Sequence, residues 1–171
     1  ISPILVLIAL LVKLSSPGPV IFKQQRVTKD EKIFTMYKFR SMRNDIPEDT
    51  VRWTEENDPR VTKIGRFLRR TSLDELPQLF NVIGGSMSLV GPRPERPALV
   101  ERFNKEIPGY RMRHRVKSGI TGWAQVNGWR GNTSLERRIE FDLYYRNWNM
   151  VFDFKIILFT SFRGFVNENA Y

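Results

Sequence analysis

The chain has no cysteine and a single histidine among its 171 residues. Without thiols there is no disulfide, no thiolate metal site and no cysteine nucleophile. One imidazole, His114, cannot build a histidine-ligated metal centre, and any serine–histidine catalysis would rest on it alone; it reads as a surface residue. Nucleophilic and acid–base work therefore falls to carboxylates, which are the scarcer charge: 18 acidic against 28 basic side chains, a formal net charge of +10. Such an excess points to a partner or surface of negative sign, whether nucleic acid, anionic lipid or a phosphorylated substrate. Long apolar runs are also missing. The opening ISPILVLIALLV meets its first charge at Lys13, and as a helix it reaches roughly 18 Å against the roughly 30 Å of a bilayer core.

What is present is a folding composition, 41% hydrophobic and 27% charged, with a length that suits one core and one domain. The apolar opening has three readings. As a signal-peptide core it lacks a basic leader and a small-residue cleavage site. As a buried core helix its length is apt. As the end of a longer membrane-inserted helix it would carry its kink at Ser2-Pro3.

SSPGP (residues 15–19) then breaks the chain. VIFKQQRV and IFTMYKFRSM flank the polar TKDEK and predict a hairpin. Residues 43–60 carry a local acidic cluster without periodicity and read as loop with a turn of helix. VTKIGRFLRRTS predicts an amphipathic helix with Ile64, Phe67 and Leu68 on one side. From Leu76 the apolar positions Leu79, Phe80 and Ile83 follow helical spacing until Gly84-Gly85. SLVGPRPERP is a rigid loop that holds Arg93, and ALVERFNKEI a short helix. YRMRHRVKSG reads as a strand or basic loop, exposed or touching lipid phosphates. GITGWAQVNGWRGN predicts loop with a β segment at Trp123 to Val126. Ser134 opens a helix with Leu135, Ile139, Leu143 and Trp148 near one stripe. Asp153 to Phe165 is a last helix, lying in a membrane interface or in the core.

One pair of acids stands out in TSLDELPQLF. Ser72 and Glu75 match a capping box, with Asp74 favourable in the first helical turn. Pro77 complicates this, because a helix beginning there leaves Asp74 and Glu75 just outside an N-terminus, where anions are drawn. Carboxylates beside phosphate need a cation between them. Oxygen ligands suit Mg²⁺, and Arg69, Arg70 and Arg93 offer positive charge. The chemistry that follows is phosphoryl transfer, an aspartate attacking phosphorus while metal and arginines offset charge. Spacing alone leaves both readings open.

The segments SPGPVIFKQQRV, YKFRSM, DPRVTKIGRFLRRTSLDELPQLFNVIGGSMSLVGPRPE and SGITGWAQVNGWRG together resemble the bacterial sugar transferase family, the monotopic phosphoglycosyl transferases that act on polyprenyl phosphate. The resemblance covers nearly the whole chain, in order. It implies transfer of a sugar 1-phosphate from a UDP-sugar to undecaprenyl phosphate with release of UMP, the first step of a surface polysaccharide. It implies Asp74 as the nucleophile that forms a covalent phosphosugar intermediate, with Glu75 as its acid–base or orienting partner and Mg²⁺ at or near Asp74. Arg69 and Arg93 match phosphate- or nucleotide-contacting positions. Lys38 and Arg40 belong to the same motifs or to a solvated hairpin face; Gln125, with Trp123 and Asn127, contacts the nucleotide or packs the loop.

In this family a helix enters the membrane, breaks at a Ser-Pro pair and returns, so Ser2-Pro3 resembles the break. The expected organisation is a return arm over residues 1–14 and a cytoplasmic catalytic domain over 15–171, at the cytoplasmic face of a bacterial inner membrane. The fold implied is α+β: a mostly helical single domain with a small β-hairpin and the remnant of a re-entrant membrane helix. The pattern NGWRGNTSLERRIEFDLYYRNWNMVFDFKIILFT resembles larger members that transfer glucose 1-phosphate. Two rivals remain. A basic nucleic-acid-binding module finds no zinc-finger, RNA-binding or helix-turn-helix signature here, so no nucleic-acid partner is expected; an inactive membrane-surface scaffold would keep the surface and lose the chemistry.

Overall fold

A computed structural model describes residues 2–43, 58–130, 133–145 and 149–163. Most of the loop expected at 43–60, together with Trp148 and the end of the helix expected to reach Phe165, lies outside them.

Helix α1 (Ser2–Ser15) leads into a hairpin of β1 (Ile21–Val27) and β2 (Ile33–Phe39), antiparallel with Ile21 opposite Phe39 and Val27 opposite Ile33. The connecting turn is tight, with Asp30 and Glu31 both at positive φ. Strand alternation then does two jobs. Phe34 and Met36 pack on Met87, and Lys38 continues that face. Phe39, on the other face, meets Leu68 and the Ile8 and Val12 side of α1.

Helix α2 (Lys63–Arg70) is capped by Thr62, whose hydroxyl accepts from the Gly65 amide at 2.9 Å. It runs within touching distance of the hairpin's end; a Cβ on Gly65 would stand 1.9 Å from the Ser41 carbonyl oxygen. A 3₁₀ turn, Leu73–Glu75, precedes α3 (Gln78–Ile83). The expected helix from Leu76 is therefore shorter, because Pro77 brings no amide to a helix that begins before it. Its faces are also inverted relative to a core helix. Gln78 and Asn81 are buried, while Phe80 and Ile83 are exposed, Ile83 at 82%. Asn81 is buried for its amide: Oδ1 accepts from the Tyr37 amide at 3.1 Å and Nδ2 donates to the Thr35 carbonyl at 2.8 Å, clamping β2.

β3 (Ser88–Val90) pairs in parallel with β4 (Gly119–Thr121). Between them run α4 (Pro97–Glu106) and a 3₁₀ segment, Tyr110–Arg115. The sequence predicts neither strand where it lies. The β segment expected at Trp123 to Val126 is a short helix, α5 (Trp123–Val126), and the strand or basic loop expected near residue 111 is helical. His114, expected at the surface, is buried, edge-on to Tyr110. Burial lowers its pKa to about 4, helped by Arg113 and opposed by Glu31.

Helix α6 (Leu135–Tyr144) opens as expected on Ser134, whose hydroxyl accepts from the Arg137 amide. Leu135, Ile139 and Leu143 join Val27, Leu99, Val100, Phe103 and Tyr110 in one core cluster. Helix α7 (Met150–Arg163) packs Ile156 against Val90, Val126 and Tyr145, and exposes Val151, Phe154 and Phe162. The architecture is a single α+β domain, mostly helical, around a small antiparallel hairpin.

Candidate active site

The 3₁₀ turn that carries Asp74 and Glu75 follows Ser72, which sits at φ 56° with no side-chain cap bond. The capping-box reading therefore fails. Instead of returning to the Ser72 amide, the Glu75 carboxylate accepts from Lys38 Nζ at 2.7 Å and from Arg93, Nη2 at 2.5 Å and Nη1 at 3.3 Å. Three elements far apart in sequence meet here: the end of β2, the acid turn and the proline-flanked loop after β3.

The two acids are adjacent yet differently placed. Glu75 has both oxygens bonded, and although burial favours its neutral form, Arg93 and then Lys38 outweigh burial and hold its pKa well below the usual range. Asp74 is 6% exposed, its carboxylate accepts no hydrogen bond among the described residues, and its oxygens are not sealed from solvent. Burial raises its pKa to about 6; the Lys38 charge opposes this, Glu75 adds to it, and Arg69 and Arg93 oppose. Burial also lowers the Lys38 pKa, against the pull of Glu75. Arg93 is raised, by Glu75 first.

Arg69 extends from α2 toward this cluster. Its Nε donates to Ser41 Oγ at 2.9 Å, and its buried Nη1 has no hydrogen-bond partner. Burial lowers its pKa while Asp74, the largest charge acting on it, raises it. Arg130 was not singled out from the sequence, yet belongs here. It feels Arg93, Glu75 and Asp74 in that order after burial itself, and its Nε is buried without a hydrogen-bond partner. The signal was its setting: an arginine between Gly128 and Gly131, in a turn where Gly128 adopts φ 85°, echoes Arg93 between two prolines.

Two expected site residues bond elsewhere. Arg40, 3% exposed, turns its Nη2 to the carbonyls of Val12 at 3.1 Å and Ser16 at 2.6 Å, closing the C-terminal end of α1, and keeps its Nε and Nη1 buried without a hydrogen-bond partner. Arginine suits helix C-termini, whose last carbonyls lack intrahelical partners. Gln125 Nε2 donates to the Ile120 carbonyl at 3.0 Å, within its own turn, and Asn127 Nδ2 bonds Trp123 likewise at 2.7 Å.

Asp74, free of hydrogen bonds among the described residues beside a Glu75 bonded through both oxygens, stands with Arg69 and Arg130, which each keep one buried donor without a partner and can offset the charge of an anion brought to Asp74. The family model described as bacterial sugar transferase matches residues 1–167. The chain belongs to that family. It is 57% identical over 176 residues to the UDP-glucose:undecaprenyl-phosphate glucose-1-phosphate transferase of Escherichia coli (strain K12), covering 100% of this chain and 38% of that protein. Similarity to the undecaprenyl-phosphate glucose phosphotransferase of Komagataeibacter xylinus is 48% over 180 residues, covering 100% of this chain and 34% of the relative. The UDP-N-acetylgalactosamine-undecaprenyl-phosphate N-acetylgalactosaminephosphotransferase of Aeromonas hydrophila is 45% identical over 162 residues, with 93% of this chain and 38% of the relative covered. The chain thus spans little more than a third of the length of these relatives.

Proposed function

We propose that this domain transfers a sugar 1-phosphate, glucose 1-phosphate first among the candidates, from a UDP-sugar to undecaprenyl phosphate. One observation carries the reading: Asp74 is 6% exposed and accepts no hydrogen bond among the described residues, while Arg69 Nη1 and Arg130 Nε, on two arginines whose charges interact with that of Asp74, are buried donors without a partner. A carboxylate oxygen of Asp74 attacks the phosphorus that bears the sugar, the bond from that phosphorus to the UMP oxygen breaks, and UMP leaves with the electron pair. A phosphate oxygen of undecaprenyl phosphate then attacks the same phosphorus, displaces Asp74 and restores its carboxylate. Arg69 and Arg130 are placed to meet developing phosphoryl charge, and Arg93 and Lys38 hold Glu75 as an anion that orients the pair. Of the two readings of Gln125, nucleotide contact or loop packing, its bond to the Ile120 carbonyl supports packing, and the Arg40 bonds to Val12 and Ser16 support a role at the α1 junction.

Among the described residues no group of three or more acidic or histidine side chains converges as a metal cage. The site fits Mg²⁺ of the kind that keeps several waters and is held by one carboxylate together with substrate phosphates. Asp74, with its lone pairs uncommitted, is the residue that would face the ion, whose part when bound is to neutralise diphosphate charge.

The domain works at a membrane, in this reading the cytoplasmic face of the inner membrane. Residues 1–14 act as the return arm of a re-entrant helix and 15–171 as the catalytic domain. No helix among the described residues is long and apolar enough to cross a bilayer. Helix α1 packs on the domain through Ile8 and Val12 and exposes Val6, Leu7, Leu10 and Leu14, a surface that suits lipid. The glucose assignment is tested by incubating full-length protein with undecaprenyl phosphate, Mg²⁺ and each UDP-sugar in turn. UMP release that needs lipid and metal and is fastest with UDP-glucose supports it; a preference for an N-acetylated donor moves the assignment to the other relatives' chemistry.

A further inference from the structure

We propose that Arg113 and Asp142, which lie outside the acid pair's own contacts, are positioning residues that act on the site through the backbone of Arg93. This rests on the reading of Asp74 and Glu75 as the reacting pair.

The loop that presents Arg93 lies between Pro92 and Pro94 and has few amides of its own with which to fix itself, because proline carries no N–H. What remains is to hold its carbonyls, and two guanidinium groups from other elements do so. Arg113 Nη2 donates to the Arg93 carbonyl at 2.9 Å, and Arg26 Nη1 donates to the Pro94 carbonyl at 3.1 Å while pairing with Glu95 at 3.1 Å. Arg113 is locked from two further sides. Asp142 Oδ2 accepts from its Nη2 at 2.6 Å and Nε at 3.1 Å, and Tyr110 Oη accepts from its Nη1 at 2.8 Å. The pair is deeply buried, with side chains 4% and 3% exposed.

A buried ion pair is a poor source of stability, since apolar residues of the same shape often serve as well. Its geometry here has a different use. The planar fork of arginine offers donors in fixed directions, and the three partners of Arg113 take them up, so α6, through Asp142, fixes where the Arg93 carbonyl sits. That carbonyl sets the direction from which the Arg93 side chain reaches Glu75.

The test uses full-length protein and radiolabelled UDP-sugar, so that losses of several decades stay readable. Arg113→Lys, and Tyr110→Phe as a milder change that removes one hydroxyl, are each made in the wild-type and Arg93→Ala backgrounds, with thermal unfolding followed alongside. Lysine keeps a charge for Asp142 but cannot also span to the carbonyl. Arg113→Lys is expected to lower kcat at least about tenfold and Tyr110→Phe about three- to fivefold, with the donor KM changing less than about threefold. Both losses are expected to shrink below about 1.5-fold once Arg93 is alanine, as residues acting on one unit are not additive. Equal losses in the two backgrounds, or losses that follow the unfolded fraction, overturn the proposal. Should Arg113→Lys fail to fold, Tyr110→Phe decides by the same criterion. Failure of the underlying reading is distinct, since there Asp74→Asn would keep turning over.

Discussion

Burial alone drives both carboxylates of the pair toward their neutral forms, and the difference between them comes from which cations touch which oxygens. Glu75 is held ionised by Arg93 and Lys38; Asp74, without a direct bond, rises to about 6. In the proposed reaction Asp74 must be ionised to attack, so kcat/KM is expected to fall as pH drops through about 6, read from initial rates of UMP release. The linkage has the opposite sign for stability. With the folded pKa about 6 and the reference 3.8, the folded state holds a proton that the unfolded chain does not across that window. This group's contribution to stability therefore rises as pH falls from about 7 to 4. Asp74→Asn removes the cost of an ionised buried group, on the order of 2–3 kcal/mol at pH 7. It is expected to raise the unfolding midpoint by several degrees while lowering turnover at least about a thousandfold. Arg40 tests the opposite case. Its alanine variant is expected to lower the melting temperature with kcat/KM of the folded enzyme within about threefold, whereas Arg69→Ala lowers kcat/KM at least about tenfold. A raised donor KM at unchanged stability would return Arg40 to substrate binding.

At the scale of elements, what was legible followed from local chemistry. The β-branched and aromatic runs around TKDEK announced the hairpin, and Thr62 and Ser134 both cap helices close to where the pattern placed them. The short parallel pair β3 and β4 was not legible, because three-residue strands joined by a long crossover leave no period to read. Helix α3 shows a second limit. Periodicity locates an apolar stripe without saying whether protein or lipid receives it, and here Asn81 is buried in place of Phe80 and Ile83. Removing the clamp in Asn81→Ala strips the Tyr37 amide and Thr35 carbonyl of their partners. That change is expected to destabilise the fold by about 2–3 kcal/mol in denaturant titration, for buried polar groups left unpaired. Gly65→Ala is expected to do more, at least about 3 kcal/mol, because its Cβ meets backbone instead of a side chain that can yield.

Over the whole molecule, an excess of basic side chains and several exposed apolar faces coexist in one domain. Each Lys or Arg near an anionic leaflet contributes about 1 kcal/mol, and a fully buried large apolar side chain about 1.5–3 kcal/mol. If the exposed Ile83 of α3 meets lipid, Ile83→Asp is expected to weaken binding to anionic vesicles at least about tenfold without altering the melting temperature; unchanged flotation would mean that α3 does not meet the vesicle. The acid pair and Arg93 were visible in the sequence because TSLDELPQLF and VGPRP are dense in residues with special backbone or charge demands. The convergence of Lys38, and the entry of Arg130, depend on contacts between distant segments that no local pattern encodes. The central claim is that Asp74 becomes covalently phosphorylated by the sugar phosphate. Mass analysis of full-length protein incubated with UDP-glucose and Mg²⁺, but no lipid acceptor, tests it most directly. A hexose phosphate adduct is expected on the peptide containing Asp74 and none in Asp74→Asn. An unmodified wild-type protein that still turns over once lipid is added would contradict it and point to direct displacement.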